Sequence, residues 1–430
     1  MAVLLFGALC LLLIIGMPIA VSFGLSVIVV FYAENLMMLF PALPQRMFTS
    51  IDSFPFMAIP FFILAGNLMS EGGISRRLLD FMQVLLRRRS AALAKITTGT
   101  SLFFGSISGS NPATVAAVGG ITIPAMIKKG YPRDLAGAIA AASGTVGVIL
   151  PPSIPMVTFA VTANVSVGTM FISGIVPGLM IALALFLIHD FVCGGYEPAD
   201  KNAPRLSFRE FFLVFRESFL ALLMPILILG GIYGGVFTPT EAAAVSCLYA
   251  FVISMFVYRE LKLSNLYSVF VKSAKTSAMI LFIISLSGPF SWFMTIQGIP
   301  TQIAEAVLNT FGNRYVILFL INILLLVIGL FLETQAVILL LTPILVPIAN
   351  NIGMPLIVLG IIIIVNTSIG MTTPPLAVNL FVASGIAKES VEKIAYRILP
   401  YLAVSLVVLF LLTYFPIFIT FFPTLLGIRI

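Results

Sequence analysis

Long apolar runs alternate with short polar breaks along nearly the whole chain. A helix needs about 20 apolar residues to cross a bilayer. Runs of that kind lie near 2–31, 54–70, 168–193, 217–236, 239–258, 274–297 and 398–422, and a span is predicted for each. Two further crossings, 134–166 and 356–387, are long and interrupted by Gly and Pro. Two stretches, 96–128 and 315–351, are apolar but broken in the middle, at Ser108-Gly109-Ser110-Asn111-Pro112 and at Glu333-Thr334-Gln335. Each of these is expected to enter the membrane and return as a re-entrant hairpin. The pattern therefore predicts an all-α polytopic membrane protein. Arg76–Arg89 and Phe208–Glu217 have the amphipathic spacing of interfacial helices. They could frame a moving domain or simply anchor the chain.

Composition narrows the class further. Of 430 residues, 60% are hydrophobic and 9% charged, against about 25% charged in a soluble domain. A secreted enzyme, a nucleic-acid module and a disordered scaffold are excluded. The net charge of +7 is explained by cytoplasmic loops, without a nucleic-acid partner. With both broken stretches folded back, only Arg46, Arg314 and Arg429 of the 23 Lys and Arg fall outside, leaving 20 inside. The inside set includes the 76–95 cluster, Lys128, Lys129, Arg133, Lys201, Arg205, Lys272 and Lys275. If 96–128 were a plain span, that bias would collapse. The N-terminus is then cytoplasmic and the C-terminus external. The start lacks a basic region, and its apolar run passes Val30, as expected for a first membrane helix and not for a cleaved signal peptide. Cys10, Cys193 and Cys247 form no CxxC pair, and the single histidine, His189, cannot build a metal cluster. An intramembrane enzyme would need a nucleophile–base pair. His189 is placed at a cytoplasmic helix end, so no enzyme is expected.

Self-comparison reveals a repeat. Residues 143–152 read SGTVGVILPP and residues 366–375 read NTSIGMTTPP, an offset of 223. The same offset aligns Pro124 with Pro347, Gly130 and Pro132 with Gly353 and Pro355, and Pro177 with Pro400. Gly73-Ile74 matches Gly298-Ile299, and Pro18 matches Pro239, at slightly different offsets. The chain divides into 1–200 and 201–430, with hairpin 96–128 entering from the cytoplasm and 315–351 from the other side. Inverted repeats with broken helices are the architecture of secondary transporters.

Irregular backbone in a membrane is tolerated only where protein buries it or where it lines a polar cavity. Four such segments occur, at 105–112, 143–152, 329–335 and 366–375, each rich in Gly, Ser, Thr or Asn. Carbonyl, hydroxyl and amide oxygens suit a hard monovalent cation such as sodium. Helix N-ends suit an anion. The absence of a dense carboxylate cluster argues against a divalent cation. Gly105-x-x-x-Gly109 could equally be a packing motif, Gly230-Gly231 and Gly234-Gly235 read as packing only, and Asn366-Thr367-Ser368 could hydrogen-bond between helices. Glu241, after Thr238-Pro239-Thr240, reads as a capping box, and Asp52 as a cap. Glu333 at the second break serves substrate or cation, or is merely solvated.

The chain resembles the large membrane subunit of tripartite ATP-independent periplasmic (TRAP) transporters over essentially its whole length. The resemblance rests on Pro55-Phe56-Met57-Ala58-Ile59-Pro60-Phe61-Phe62, on 105–114 (GSISGSNPAT), on Gly147 with Pro151-Pro152-Ser153, on Pro239-Thr240-Glu241-Ala242, and on Gly370 with Pro374-Pro375. It implies a bacterial inner-membrane, sodium-driven importer of organic acids, of sialic-acid or C4-dicarboxylate type, with the sialic-acid branch favoured on general likeness. A proton-coupled permease is the alternative. The partners implied are a separate small membrane (Q) subunit and a periplasmic binding (P) protein, the latter docking on the outside face near 32–53 and 298–314. The fold implied is an elevator. The resemblance places Na+ at Ser106, Ser108, Ser110, Asn111, Gly144, Thr145 and Gly147 in the first half. In the second half it places Na+ at Gly329, Thr334, Asn366, Ser368, Gly370 and Thr373. Substrate is expected at Asn111, Glu333 and Thr372.

Overall fold

The computed structural model describes residues 1–199, 207–375 and 377–428. Lys201, Arg205 and Arg429, used above in the charge count, lie outside the described residues. All regular structure among the described residues is helical. The first half contains α1 (Ala2–Ile14), α2 (Ile19–Ala33), α3 (Ala42–Ile51), α4 (Ala58–Glu71), α5 (Ile74–Leu86), α6 (Ala92–Ser108), α7 (Asn111–Lys128), α8 (Arg133–Gly144), α9 (Ile154–Thr162) and α10 (Val167–Cys193). The second contains α11 (Phe208–Tyr233), α12 (Pro239–Val252), α13 (Leu263–Ile296), α14 (Ile299–Phe311), α15 (Arg314–Gly329), α16 (Thr334–Asn351), α17 (Leu356–Gly370), α18 (Val378–Ala387), α19 (Val391–Tyr414) and α20 (Ile417–Leu425). Seven helices are long and apolar enough to cross a membrane: 54–71, 167–193, 208–233, 239–257, 263–296, 334–351 and 391–414.

The first predicted span is corrected. Residues 2–31 are not one helix, because the turn Gly16-Met17-Pro18 breaks them. Gly16 has φ +87°, and Pro18 has no N–H to continue the ladder. The two short helices fold back on each other. Phe6 on α1 and Phe23 on α2 both meet the Phe290 ring, at centroid distances of 6.0 and 5.2 Å. An unbroken helix would hold those two residues about 25 Å apart. Three smaller corrections follow. Phe208–Glu217 is no separate interfacial helix but the first part of α11. The last crossing ends at Tyr414, where Phe415-Pro416 turns the chain into α20. Asp52 makes no side-chain cap; Ser53 precedes the short 3-10 turn 54–57. The capping box at Thr238 and Glu241 is present, with Thr238 N–H donating to Glu241 Oε2 at 2.8 Å and Glu241 N–H to Thr238 Oγ1 at 3.3 Å.

Two groups of helices result. In one, α2 and α3 lie along α13, α12 lies along α4, and α4 and α13 pack together. In the other, α8 is packed among α6, α7, α18 and α19, while α17 is packed among α10, α15, α16 and α9. Small residues allow this density: α8 is LAGAIAAASG after its first two residues, and all ten are buried. The amphipathic helices α5 and α14 connect the groups, α5 against α6 and α11, α14 against α16. The register of α5 is fixed partly by charge: Arg77 pairs with Glu260 at 2.6 Å and lies 3.7 Å over the Tyr258 ring, and Arg87 Nη2 reaches Glu210 Oε2 at 2.6 Å.

Candidate functional site

The two broken stretches fold back, and their turns converge at the centre of the second group. The first turn is Gly109, with φ +56°, followed by Ser110 as the N-cap of α7. Two helical legs can approach a neighbouring backbone this closely only through glycine. A Cβ on Gly105 would lie 2.4 Å from the Gly147 Cα, and one on Gly370 would lie 2.9 Å from the Gly329 Cα. Gly105 with Gly147 and Gly329 with Gly370 are the same crossing, 224 and 223 residues on. The packing reading of Gly105 is therefore the structural one. Gly144 also packs, against Val115 and the Asn111 carbonyl.

Polar side chains join the halves at this crossing. Asn111 Nδ2 donates to Ser368 Oγ at 2.7 Å, and Ser368 Oγ donates to the Thr145 carbonyl at 2.7 Å. Thr334 Oγ1 and Asn111 Nδ2 both approach Met371 Sδ, at 3.5 and 3.7 Å. Ser108 Oγ meets Thr114 Oγ1 at 3.0 Å, and Thr114 Oγ1 donates to the Ser110 carbonyl at 2.8 Å. Asn111, Thr145, Thr334 and Ser368 are brought together, with Ser108, Ser110, Gly147, Gly329 and Gly370 beside them. Ser106, Thr372 and Thr373 show no side-chain hydrogen bond across the junction among the described residues. Their hydroxyls close back on the helix, onto Phe103 O at 2.7 Å, Ile369 O at 2.7 Å and Ile369 O at 2.9 Å.

Asn366 belongs to a different arrangement. Its Nδ2 donates to Asn322 Oδ1 at 2.9 Å and to Asn322 O at 3.0 Å, and Asn322 Nδ2 reaches Thr413 Oγ1 at 3.2 Å. The first half has a counterpart, in which Thr98 Oγ1 meets Ser143 Oγ at 2.7 Å and His189 Nε2 at 2.8 Å. Thr98, Ser143 and His189 stand 224, 223 and 224 residues before Asn322, Asn366 and Thr413. Each triad ties a hairpin leg to a broken helix and to the long helix behind it. His189 lies near the C-terminal end of α10, as expected, and is fully buried in this clasp.

A cavity of about 500 Å³ opens beside the junction, between the hairpin turns on one side and α4 and α13 on the other. Ser108, Ser110, Asn111, Glu333, Thr334 and Gln335 line it from the turns, and Asn67, Ser70, Lys272 and Thr276 from the opposite wall. Two of the lining residues carry a buried amide oxygen, Asn111 Oδ1 and Gln335 Oε1, that has no hydrogen-bond partner among the described residues. Leaving such a group unpaired costs about 1–3 kcal/mol, a deficit that a bound donor or cation removes. The carbonyl and hydroxyl oxygens around Asn111 fit a hard monovalent cation, and no group of three or more metal-ligating His, Cys, Asp or Glu occurs among the described residues. Lys272 was expected in a cytoplasmic loop, but α13 begins at Leu263 and carries it to the cavity. Thr114, Gln335, Asn322 and Met371 were not anticipated. Gln335 was quoted as part of the second break, and a polar residue just inside a helix start there was the available signal.

The family model for the DctM component of tripartite ATP-independent periplasmic transporters matches residues 6–418. The chain belongs to this family. Among DctM-type relatives, the isethionate TRAP transporter permease protein of Oleidesulfovibrio alaskensis is 45% identical over 97% of this chain, which spans 66% of that protein. The C4-dicarboxylate TRAP large permease of Rhodobacter capsulatus is 38% identical over 99% of both chains. The sialic acid TRAP large permease of Vibrio cholerae is 37% identical over 89% of both. Among solved structures, the YdaH transporter of Alcanivorax borkumensis superposes with a TM-score of 0.63 over 89% of this chain and 88% of that one, at 16% identity. MtrF of Neisseria gonorrhoeae gives 0.56 over 89% and 84%, also at 16%. These two share the fold. The expected resemblance to the TRAP large subunit is thus established, as are the all-helical membrane fold and the assignment to a transporter family.

Proposed function

We propose that this DctM-family chain is the large membrane subunit of a sodium-coupled importer of organic acid anions in a bacterial inner membrane. A small membrane subunit accompanies it, and a periplasmic binding protein delivers the anion. The observation that carries this reading is the Asn111–Ser368–Thr145 junction, where two broken helices and a hairpin turn meet beside a cavity and the buried amide oxygens of Asn111 and Gln335 are left unpartnered among the described residues. Sodium takes its oxygens there, from Ser108, Ser110, Asn111 and Thr145 in one half and Thr334 and Ser368 in the other. The anion occupies the cavity against Asn111 and Glu333. The halves 1–200 and 201–430 are inverted repeats, their hairpins re-entrant from opposite faces. The α6–α10 and α15–α19 group is the body that moves past α4 and α13. With the basic loops inward, residues 34–53 and the C-terminus face the periplasm, and the fold-back of α1 brings Met1 to that face too. In this reading the cavity wall formed by Ser70, Lys272 and Thr276 lies toward the basic loops, on the side from which cargo leaves. Names of relatives support isethionate, C4-dicarboxylate or sialic acid as cargo type.

The test is thermal stability of the purified subunit with its small partner, in sodium against potassium at equal ionic strength. A ligand of the folded state raises stability by RT ln(1 + [L]/Kd). A saturable sodium-specific rise is expected, lost in Asn111→Ala and kept in Ser106→Ala, whose parent hydroxyl faces Phe103 O. The proton-coupled alternative draws on Glu333, the one acidic side chain lining the cavity. It would show no sodium effect, and proton-driven uptake abolished by Glu333→Gln.

A further inference from the structure

Helix α5 joins the two groups, and its two faces differ in chemistry. One face is tied to the first group by directional contacts. At its start, Gly73 has φ +73°, and an added Cβ there would fall 1.7 Å from Glu260 Oε2. Arg77 Nη1 donates to the Gly73 carbonyl at 3.1 Å and to Glu260 Oε1 at 2.6 Å, and the guanidinium lies over the Tyr258 ring. Tyr258 and Glu260 lie in the connection from α12 to α13, two members of the first group. Ser218 Oγ on α11 donates to the Arg77 carbonyl at 2.9 Å, and Phe81 meets the Phe211 and Phe215 rings, each at 6.3 Å. Helix α11 in turn packs on α12. The other face of α5 lies on α6, in the second group. There Met82, Ala92 and Ile96 form a small apolar cluster separate from the main core, with Leu79 and Leu86 beside them. No side-chain hydrogen bond or ion pair joins α5 to α6 among the described residues. Helix α14, the counterpart of α5 in the second half, has no such clamp. An added Cβ on Gly298 would find Gln302 Nε2 at 3.8 Å as its nearest neighbour, and α14 makes no ion pair among the described residues.

The chain changes sides within the short joint between α5 and α6. Arg87 is held by Glu210 of α11. Ser90 Oγ bonds Asp190 of α10, Ala91 N–H donates to the Glu197 carbonyl at 2.8 Å, and Leu93 N–H donates to Glu197 Oε2 at 2.9 Å. Hydrogen bonds weaken steeply once their geometry is displaced, whereas apolar contact is non-directional and survives sliding. Resting on the transport reading above, we infer that α5 is a fixed arm of the first group, clamped by Arg77 and Glu260, and that its face on α6 is the slip plane along which the second group moves. The pivot of the chain lies between Arg87 and Ser90. Met82 at the centre of the slip plane suits this use, because a thioether side chain is flexible and repacks readily. The two arms are then unequal in motion, since α14 rests on α16 of the second group without a clamp to the first.

The experiment is uptake by cells carrying the large and small subunits with their binding protein, before and after thiol cross-linking with a reductant-cleavable reagent, in a Cys10→Ser background. The probe cargoes are isethionate, succinate and sialic acid. Phe81→Cys with Phe215→Cys links α5 to α11, where the two rings meet. Met82→Cys with Gly99→Cys links α5 to α6, where an added Cβ on Gly99 would fall 2.9 Å from Met82 Cε. Neighbouring positions on one helix thus report on its opposite faces. The α11 link is expected to leave uptake within about 2-fold of the same variant unlinked, and the α6 link to lower it about 10-fold or more, with recovery on reduction. Phe81→Cys with Phe211→Cys, and Met82→Cys with Ile96→Cys, are the second pairs for the two faces, used where a first pair gives no uptake before linking. Uptake stopped by the α11 link, or untouched by the α6 link, overturns the fixed arm and leaves the transport reading standing. A parent that takes up none of the three probe cargoes overturns the transport reading and the inference with it.

Discussion

In the first half, the added Cβ on Gly105 falls 2.4 Å from a backbone carbon. In the second, the one on Gly329 falls 3.3 Å from its nearest neighbours, the Gly370 and Thr367 Cα atoms. The legs differ in the same sense. Helices α6 and α7 pack along each other, whereas α15 lies along α17 and α16 leans on α14. The first hairpin is thus a closed pair clamped through its own legs, and the second is a splayed pair held by its neighbours. The clasps behind them differ in chemistry as well: two hydroxyls and an imidazole in one, two amides and a hydroxyl in the other. A repeated backbone skeleton does not require repeated side-chain solutions. What recurs is the place where a polar residue must be satisfied, because unpaired groups buried in a membrane protein are expensive wherever they occur.

This comparison can be broken experimentally. The largest effect is expected for Gly105→Ala, whose methyl group has no room against Gly147. It should cost about 3 kcal/mol or prevent recovery of folded protein, while Gly329→Ala should cost about 1 kcal/mol. Thermal unfolding and size-exclusion profiles of the pair give the answer, and equal losses would show the two crossings to be equally tight. Next comes Thr98→Val. It removes the partner of both the Ser143 hydroxyl and His189 Nε2 and should cost about 2–3 kcal/mol, against about 1 kcal/mol for Asn322→Leu, in which Asn366 Nδ2 keeps the carbonyl of residue 322 and Thr413 Oγ1 keeps the Leu409 carbonyl, measured by denaturant or heat in the same detergent. A larger loss from Asn322→Leu would mean that the amide clasp is the stronger. Glu241→Ala removes an exposed capping box at the α12 start and should cost about 0.5–2 kcal/mol without changing sodium dependence. The smallest change is expected for Arg397→Ala. It breaks a partly exposed pair with Asp134 at 2.9 Å, worth about 0.2–1 kcal/mol and less at high salt.

Much of the fold was legible because breaks in membrane helices are conspicuous. Ser108 to Pro112, Pro151-Pro152 and Pro374-Pro375 interrupt apolar runs that otherwise continue, and the capping box spells itself out as Thr238-Pro239-Thr240-Glu241. The α1–α2 fold-back was missed because Gly16-Met17-Pro18 contributes so little polarity that the run around it still averages as one span. Lys272 was counted only as a charge on the cytoplasmic side, and charge counting gives no sign that α13 extends through it and carries it to the cavity. Within the candidate site, Asn111, Ser110 and Ser368 could be picked out from their motifs. Asn366 and Ser106 could not be sorted from them, since residue type is the same whether a side chain faces the junction, a neighbouring helix or its own backbone. Thr114 and Gln335 sit one turn or less inside helices whose starts alone attracted notice.

The separation in sequence of these contacts bears on the order in which the chain can assemble as it emerges from the ribosome. The clasp between Thr98 and Ser143 closes a loop of 45 residues, and that between Asn322 and Asn366 one of 44. Each can form as soon as its own half is synthesised, at the modest entropy of a short loop. The Asn111–Ser368 bond spans 257 residues and must wait for nearly the entire polypeptide. The junction shares that wait with the packing of α18 and α19 on α8 and of α19 and α20 on α10, so the two halves are completed against each other. Truncation between Cys193 and Ser368 should therefore take away the partner of Asn111 and two of the neighbours of α8 together.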